Sequence, residues 1–406
     1  MSKSIDVLFT VNNVSKKEVS PNRILLLLPE AFERPGGIQR FCRALCLASG
    51  RWARREGARV SAIVLNDQSA PDARYVNGSF DRFVTVGKKK RKFIASYLRM
   101  LSGTHFDLII SAHVSLAPLA LFAAPLTGGA KTAVIAYGIE VWQPLSLAQR
   151  AAVRRADAVL SISDYTTQQL AQRTGIDADK ISLLPCSLDP FWEELGTPDT
   201  NGSAVPMMLS VVRMEKEDRY KGIDSVIRSL PAIVREFGPV DYRIIGRGND
   251  IPSLKALADE LGVTNYITFA GELCDQELQD YYRRCTLFVM PSEREGFGIV
   301  FLEAMAYGKA VVGGAHGGTP SVVSDGETGL LVHSSDVEGL TNALVRLLRD
   351  KELRERLGHA GRERLQQEFT FEKFQDKLDT FFKRHLSFAD RTDFKRPKNS
   401  FHETTK

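Results

Sequence analysis

Residues 291–320 read Pro-Ser-Glu-Arg-Glu-Gly-Phe-Gly-Ile-Val-Phe-Leu-Glu-Ala-Met-Ala-Tyr-Gly-Lys-Ala-Val-Val-Gly-Gly-Ala-His-Gly-Gly-Thr-Pro. The apolar run just before them, Thr286–Met290, predicts a buried strand. Ile299–Tyr307 has helical apolar spacing, with Gly308 placed as a C-terminal cap, and Ala310–Val312 begins the next strand. Between strand and helix lies a loop, Glu295-Gly296-Phe297-Gly298, whose glycines let backbone N–H groups come close to a ligand. The unit is strand, loop, helix, strand, the repeating element of a parallel α/β sheet.

Two carboxylates, Glu295 in the loop and Glu303 on the helix, stand eight positions apart. That is on the order of 10–12 Å along a helix axis, a spacing suited to an elongated ligand. With a diphosphate at the positive helix N-terminus, the carboxylates would reach hydroxyls on either side of it. The stretch resembles the Glu-x7-Glu motif of retaining, nucleotide-sugar-dependent glycosyltransferases of family 4, which have the GT-B fold. The likeness extends through Leu302-Glu303-Ala304-Met305-Ala306, Gly317-Gly318 and Asp325-Gly326-x-Thr328-Gly329-Leu330-Leu331-Val332. It implies that Glu295 contacts the donor sugar, that Glu303 binds the ribose hydroxyls, and that Gly296, Phe297 and Gly298 belong to the donor site.

Composition is consistent with two globular domains: 406 residues, 43% hydrophobic and 25% charged. The longest apolar window, Leu116–Leu126, contains Pro118 and Pro125 and is too short to span a bilayer. The start, Met1-Ser2-Lys3-Ser4-Ile5-Asp6, lacks the pattern of a signal peptide. Five scattered cysteines without metal spacing predict buried, reduced thiols in a cytosolic chain. Charge is divided unevenly: residues 1–190 hold 25 Lys and Arg against 15 Asp and Glu, and residues 191–406 hold 29 against 34. A basic first half suggests an anionic partner.

After a polar leader over residues 1–20, Arg23–Leu28 predicts a strand, followed by Gly36-Gly37 and a helix over about 38–49. This opening lacks the Gly-x-Gly-x-x-Gly of a dinucleotide binder, which argues against an oxidoreductase. By the resemblance, Gly36 and Gly37 approach the donor diphosphate. Further strands are expected at Val60–Leu65, Phe83–Val86, Leu108–Ser111, Thr132–Ala136 and Ala158–Ile162. The run Lys88-Lys89-Lys90-Arg91-Lys92 enters a segment with apolar residues at 93, 94, 97, 98 and 101, which predicts an amphipathic helix. It reads either as an anchor for anionic lipid headgroups or as a solvated basic loop before a core-facing helix. No recognition module accompanies it, so nucleic acid is not an expected partner.

Tyr137-Gly138-Ile139-Glu140-Val141-Trp142 resembles the family segment His-Gly-x-Glu-x-Trp, with Tyr137 where a His is expected. A phenol of pKa about 10 stays neutral near pH 7 and can only donate or accept a hydrogen bond. Tyr137 therefore reads either as a residue holding a donor-sugar hydroxyl or as one packed at a strand end.

Residues 191–206 form the expected linker between a domain over 21–190 and one over 207–369. Arg213 ends the strand Met208–Val212 and Lys221-Gly222 opens the next helix. In the family these two cations grip the donor diphosphate, and fixed cations stabilise a departing diphosphate most in the transition state. Arg213, Lys221 and Glu295 are thus the catalytic candidates, with Arg219 a further cation nearby. By the resemblance, Gly246 and Gly248 line the nucleoside pocket, and a helix over 370–385 crosses back to the first domain before a tail over 386–406. Asp177-Ala178-Asp179 reads as a turn, and no metal and no further cofactor are expected. The implied activity is retaining transfer of a hexose from a UDP- or GDP-sugar to a hydroxyl, performed at the inner face of the cell membrane on a lipid-linked saccharide. A soluble transferase acting on a small sugar or sugar phosphate, and a non-catalytic GT-B scaffold, are the alternatives.

Overall fold

All thirteen described strands run parallel to their neighbours, in two separate sheets. A computed structural model describes residues 21–76, 78–192 and 205–386. The leader expected over 1–20, the centre of the linker and residues 387–406 of the tail lie outside the described residues. The first sheet contains β1 (Arg23–Leu28), β2 (Arg59–Val64), β3 (Phe80–Thr85), β4 (Leu108–Ser111), β5 (Lys131–Ala136), β6 (Ala158–Ser161) and β7 (Ile181–Leu183). The second contains β8 (Met207–Val211), β9 (Asp241–Ile245), β10 (Ile267–Gly271), β11 (Leu287–Met290), β12 (Ala310–Gly314) and β13 (Leu330–Val332). Unbroken apolar runs such as Ile24–Leu28, wholly buried, are what a strand covered by helices on both faces requires.

The strand orders are β3-β2-β1-β4-β5-β6-β7 and β10-β9-β8-β11-β12-β13. In each sheet the order reverses beside the unit's first strand, and the crevice beyond the strands' C-terminal ends there is where parallel sheets take ligands. The loops leaving that crevice carry Gly36-Gly37 after β1, Arg213 after β8 and Glu295–Gly298 after β11. These are two Rossmann-like α/β units, the GT-B class that the sequence indicates.

The first helix, Gly37–Glu56, runs past the expected stop at Ser49, because Trp52 and Ala53 are buried and Gly57, left-handed at φ 65°, supplies the cap. Gly50 is kept inside the helix where a Cβ would meet Ser79 at 2.7 Å. The helix Lys90–Leu101 also departs from a simple core-facing stripe: Phe93, Tyr97, Met100 and Leu101 are buried, while Ile94 and Leu98 are 41% and 47% exposed. The last helix, Phe371–His385, packs on the first. Phe374 meets Phe41 at 5.3 Å, Phe382 meets Trp52 at 4.7 Å, and Gln375 Nε2 donates to the Ala48 carbonyl at 3.1 Å. Asp177 caps a single turn, accepting from the Asp179 N–H at 3.1 Å. Cys42, Cys46, Cys186 and Cys285 are buried free thiols, whereas Cys274, at a helix N-terminus, is exposed, against the expectation for it. Among the described residues no helix is long and apolar enough to cross a membrane.

Candidate active site

Beyond the end of β8 the chain stays zipped to its neighbour. Val212 N–H donates to the Ile245 carbonyl and Met214 N–H to that of Arg247, both at 2.8 Å. Gly246, at φ 132°, makes this possible, since a Cβ there would lie 1.9 Å from the Val212 oxygen. Gly248 abuts the Met214 carbonyl in the same way. Both glycines expected in the nucleoside pocket therefore fix the backbone on either side of Arg213. Its guanidinium pairs with the buried Asp218, which also accepts from the Tyr220 hydroxyl at 2.9 Å. Burial acts to raise the Asp218 pKa, but these two partners lower it overall.

Lys221 closes the short turn Lys216–Lys221, and its ammonium donates to the Glu295 carboxylate, 74 positions further on. Arg219 turns away to a bidentate pair with Asp250 at 2.7 and 2.8 Å. Arg213, Asp218 and Lys221 border a cleft with free space of only about 20 Å³.

In the loop after β11, Gly298 adopts φ 97° ahead of the helix Ile299–Ala306. Phe297 is buried, its ring 5.6 Å from Phe369, so the part of Phe297 left to a ligand is its backbone. Gly296 abuts the first half, where a Cβ would stand 2.2 Å from the Tyr137 carbonyl oxygen. Gly37 lies across from Ile299, with a Cβ position 3.9 Å from its Cδ1, and Gly36 precedes it as the N-cap of the first helix. Gly37 thus faces the N-terminus of the helix that carries Glu303.

Glu303 is 2% exposed and has acquired partners that the sequence reading did not name. Arg40 Nε, from the first half, lies 3.2 Å from its Oε1, and the Tyr282 hydroxyl donates to Oε2 at 2.8 Å. Arg40 also reaches Asp275 at 3.2 Å and lies over the Trp192 ring at 5.0 Å, with its Nη1 buried and unpartnered. Burial pushes the Glu303 carboxyl up, against the downward pull of Arg40 and Tyr282. For Arg40 burial acts downward, and Glu303 and then Asp275 more than reverse it. The signal for Arg40 was present in the sequence, a cation in the first helical turn after Gly36-Gly37, but the distance to Glu303 of 263 positions hid the pair.

Tyr137 is the packed strand-end residue of its two readings. Its hydroxyl lies 3.7 Å from Cys42 Sγ and its ring meets Phe41 at 5.1 Å, so the phenol is in the core and does not face the cleft. Burial, then Cys42, raises its pKa well above the ordinary value. An imidazole is nonetheless present. His113 stacks on Tyr137 at 6.2 Å and accepts the Ser115 N–H on Nδ1 at 3.1 Å, which leaves Nε2 as its proton-bearing nitrogen when neutral. Burial holds the His113 pKa below its usual value, with Glu140 opposing. Lys88–Lys92 are all exposed.

Two Rossmann-like sheets, with a glycine pair at the switch point of the first and fixed cations and a carboxylate on the loops at that of the second, have the layout of the GT-B class of sugar-transfer enzymes. The family model described as glycosyl transferases group 1 matches residues 201–364, and that of Glycosyltransferase Family 4 matches residues 35–190. A GDP-mannose-dependent alpha-(1-6)-phosphatidylinositol monomannoside mannosyltransferase of Mycolicibacterium smegmatis is 30% identical over 366 residues, 84% of this chain and 92% of the relative. A D-inositol 3-phosphate glycosyltransferase of Corynebacterium aurimucosum is 30% identical over 230 residues, 53% of this chain and 54% of that one. Among solved structures, sucrose-phosphate synthase from Thermosynechococcus elongatus superposes with a TM-score of 0.73 at 22% identity, covering 89% of this chain and 98% of the other. Anabaena Alr3699/HepE, solved with UDP and glucose, gives 0.71 at 18%, covering 89% and 100%. The chain belongs to glycosyltransferase family 4 and is a glycosyltransferase.

Proposed function

We propose that this glycosyltransferase moves a hexose from a nucleoside-diphosphate sugar to a hydroxyl of a lipid-linked, anionic saccharide, with retention of configuration and without a metal ion. The observation that carries the reading is the Lys221–Glu295 pair beside Arg213. A donor diphosphate entering here would exchange these internal ion pairs for its own, with Arg213 and Lys221 on the phosphates and Glu295 released toward the sugar. Charge that accumulates on the departing diphosphate then meets cations already in place, the role a metal plays in other transferases. The leaving phosphate oxygen is the group suited to take the acceptor's proton on the same face of the sugar, which retains configuration. GDP-mannose is the first donor to test, because several relatives are named for it.

The membrane part of the proposal is supported by the N-terminal half. Lys88–Lys92 are exposed, and Ile94 and Leu98 project unburied from the helix that follows. Tyr97 ties that helix to the next, donating to the Leu119 carbonyl at 2.8 Å, and there Phe122 and Leu126 are 56% and 57% exposed. Apolar residues beside a basic run are the composition of a surface that docks on anionic lipid, each cation worth roughly 1 kcal/mol. The enzyme would then work at the inner face of the cell membrane. A second reading, transfer to a small sugar phosphate in solution, is favoured by the inositol phosphate transferase among the relatives.

The test is a thermal-shift panel of UDP-, GDP- and ADP-sugars, followed by transfer assays with and without chelator and assignment of the product anomer by NMR. Stabilisation by one nucleotide sugar, its hydrolysis lost in Lys221→Ala, and an unchanged anomer are the expected results. Failure of every nucleotide sugar to bind would remove the donor site. Inversion would remove the proposed same-face displacement, and inactivation by chelator would remove metal independence.

A further inference from the structure

Both carboxylate oxygens of Glu303 are engaged. Arg40 Nε lies 3.2 Å from Oε1, and the Tyr282 hydroxyl donates to Oε2 at 2.8 Å. A carboxylate offers about four lone-pair sites, yet with Glu303 buried the remaining ones have no approach open to a ribose. One of the two partners must therefore give way before hydroxyls can reach it. Tyr282 is not that partner. It is fully buried in the same half as Glu303, its ring parallel to that of Tyr307 at 6.3 Å and 5.8 Å from that of Phe288.

Arg40 is the partner that can leave. It reaches across from the first turn of the helix Gly37–Glu56, whereas Glu303 and Tyr282 both belong to the second half. A second carboxylate, the half-exposed Asp275, lies 3.2 Å from its guanidinium, which rests on the Trp192 ring at 5.0 Å. Released from Glu303, Arg40 keeps both. Its seat is also incomplete, because Nη1 is buried without a hydrogen-bond partner among the described residues, an unfavourable state for a charged donor. The other cations of the candidate site are held differently. Arg213 pairs with Asp218 and Lys221 with Glu295, each within the second half, and the Arg40–Glu303 pair spans both.

We propose that Arg40 is a gate on the donor site: it competes with the ribose of the nucleoside diphosphate for Glu303, and nucleotide binding displaces it onto Asp275. The inference rests on the donor reading above and on Glu303 as its ribose carboxylate. Giving up a charge-assisted hydrogen bond opposes binding, so the gate weakens nucleotide affinity by about tenfold or more. The spent nucleoside diphosphate is affected as much as the donor. Arg40 returning to Glu303 therefore speeds product release, since affinity differences of this kind are expressed mainly in dissociation rates. A nucleotide without ribose hydroxyls leaves Arg40 in place and is not opposed.

Equilibrium titration of the full chain with GDP and UDP, each against its 2′,3′-dideoxy form, tests this. In Arg40→Met the nucleotide that binds the wild type should bind about tenfold tighter and dissociate correspondingly more slowly in stopped flow. Its dideoxy form should bind as it does to the wild type, whereas a purely structural role for Arg40 would move both forms alike. Arg40→Gln, which can still donate a neutral hydrogen bond to Glu303, should give a smaller gain in the same direction and serves if Arg40→Met does not fold. Adding Glu303→Gln to either variant should abolish the gain. Ribonucleotide affinity that is unchanged or weaker in the arginine variants, or a gain shared equally by the dideoxy form, overturns the proposal. If the wild type prefers the ribose form and the variants prefer it no more strongly, the gate fails alone. Equal binding of the two forms by the wild type and both variants means that the ribose assignment of Glu303 has failed as well. Binding of neither nucleotide removes the donor reading and the gate together.

Discussion

Arg40→Ala is the substitution with the largest consequence that the sequence did not announce. Arg40 and Glu303 come from opposite halves, are 10% and 2% exposed as side chains, and face each other at 3.2 Å. Removing one member of a buried ion pair leaves the other charged and unsolvated, which costs about 3–5 kcal/mol. The contact with Asp275 adds little, because Asp275 is half exposed and solvent screens it. The loss should depend on pH with a definite sign. Burial already raises the folded-state pKa of Glu303, and without Arg40 it rises further. An acid whose pKa is raised by folding stabilises the native state most when protonated, and that stability is lost as pH rises through the folded value. The deficit of Arg40→Ala should therefore be largest near pH 8 and shrink toward pH 5. Urea unfolding at the two pH values measures it, and Arg40→Met with Glu303→Gln should recover most of the loss by removing both charges. A deficit below about 1 kcal/mol, the size of an exposed pair, or one that is the same at both pH values, would refute this reasoning.

Lys221→Ala should lower turnover by about 10²–10³-fold with little change in melting temperature, and unchanged steady-state kinetics would exclude it from the donor site. Glu303→Gln retains a hydrogen-bonding side chain but not the charge, and should weaken nucleotide affinity in equilibrium titration; an unaltered affinity would deny Glu303 a part in ribose binding. Tyr137→Phe removes only the contact with Cys42 and should leave activity close to wild type, whereas a large loss in the transfer assay would mean that the phenol acts after all. Replacing Lys88–Lys92 by glutamine should release the protein from anionic vesicles in sedimentation, as should raising the salt concentration, since both weaken an electrostatic attachment. Binding that persists under both conditions would assign it instead to exposed apolar residues such as Ile94, Leu98, Phe122 and Leu126.

Periodicity and punctuation were enough to read two parallel α/β units, because a strand buried on both faces is an uninterrupted apolar run and a cap or turn residue marks its own position. The same local logic, with the family likeness, singled out Arg213, Lys221, Glu295 and Glu303. It is incomplete where a neighbour distant in sequence decides the outcome. Gly50 did not end its helix because Trp52 and Ala53 beyond it are buried, and Ile94 and Leu98 lie outside the core because Phe93, Tyr97, Met100 and Leu101 already fill the helix's buried side. Tyr137 is turned into the first half by Phe41 and Cys42, and Gly246 and Gly248 serve the backbone of the neighbouring loop. The pairing of Arg40 with Glu303 exists only once the two sheets face each other, and that of Lys221 with Glu295 only once the loops after β8 and β11 do. Each unit's elements follow from its own stretch of chain through hydrogen-bond geometry and burial, whereas the partner of a charge in the cleft is supplied by a different unit, and no local pattern encodes that distance.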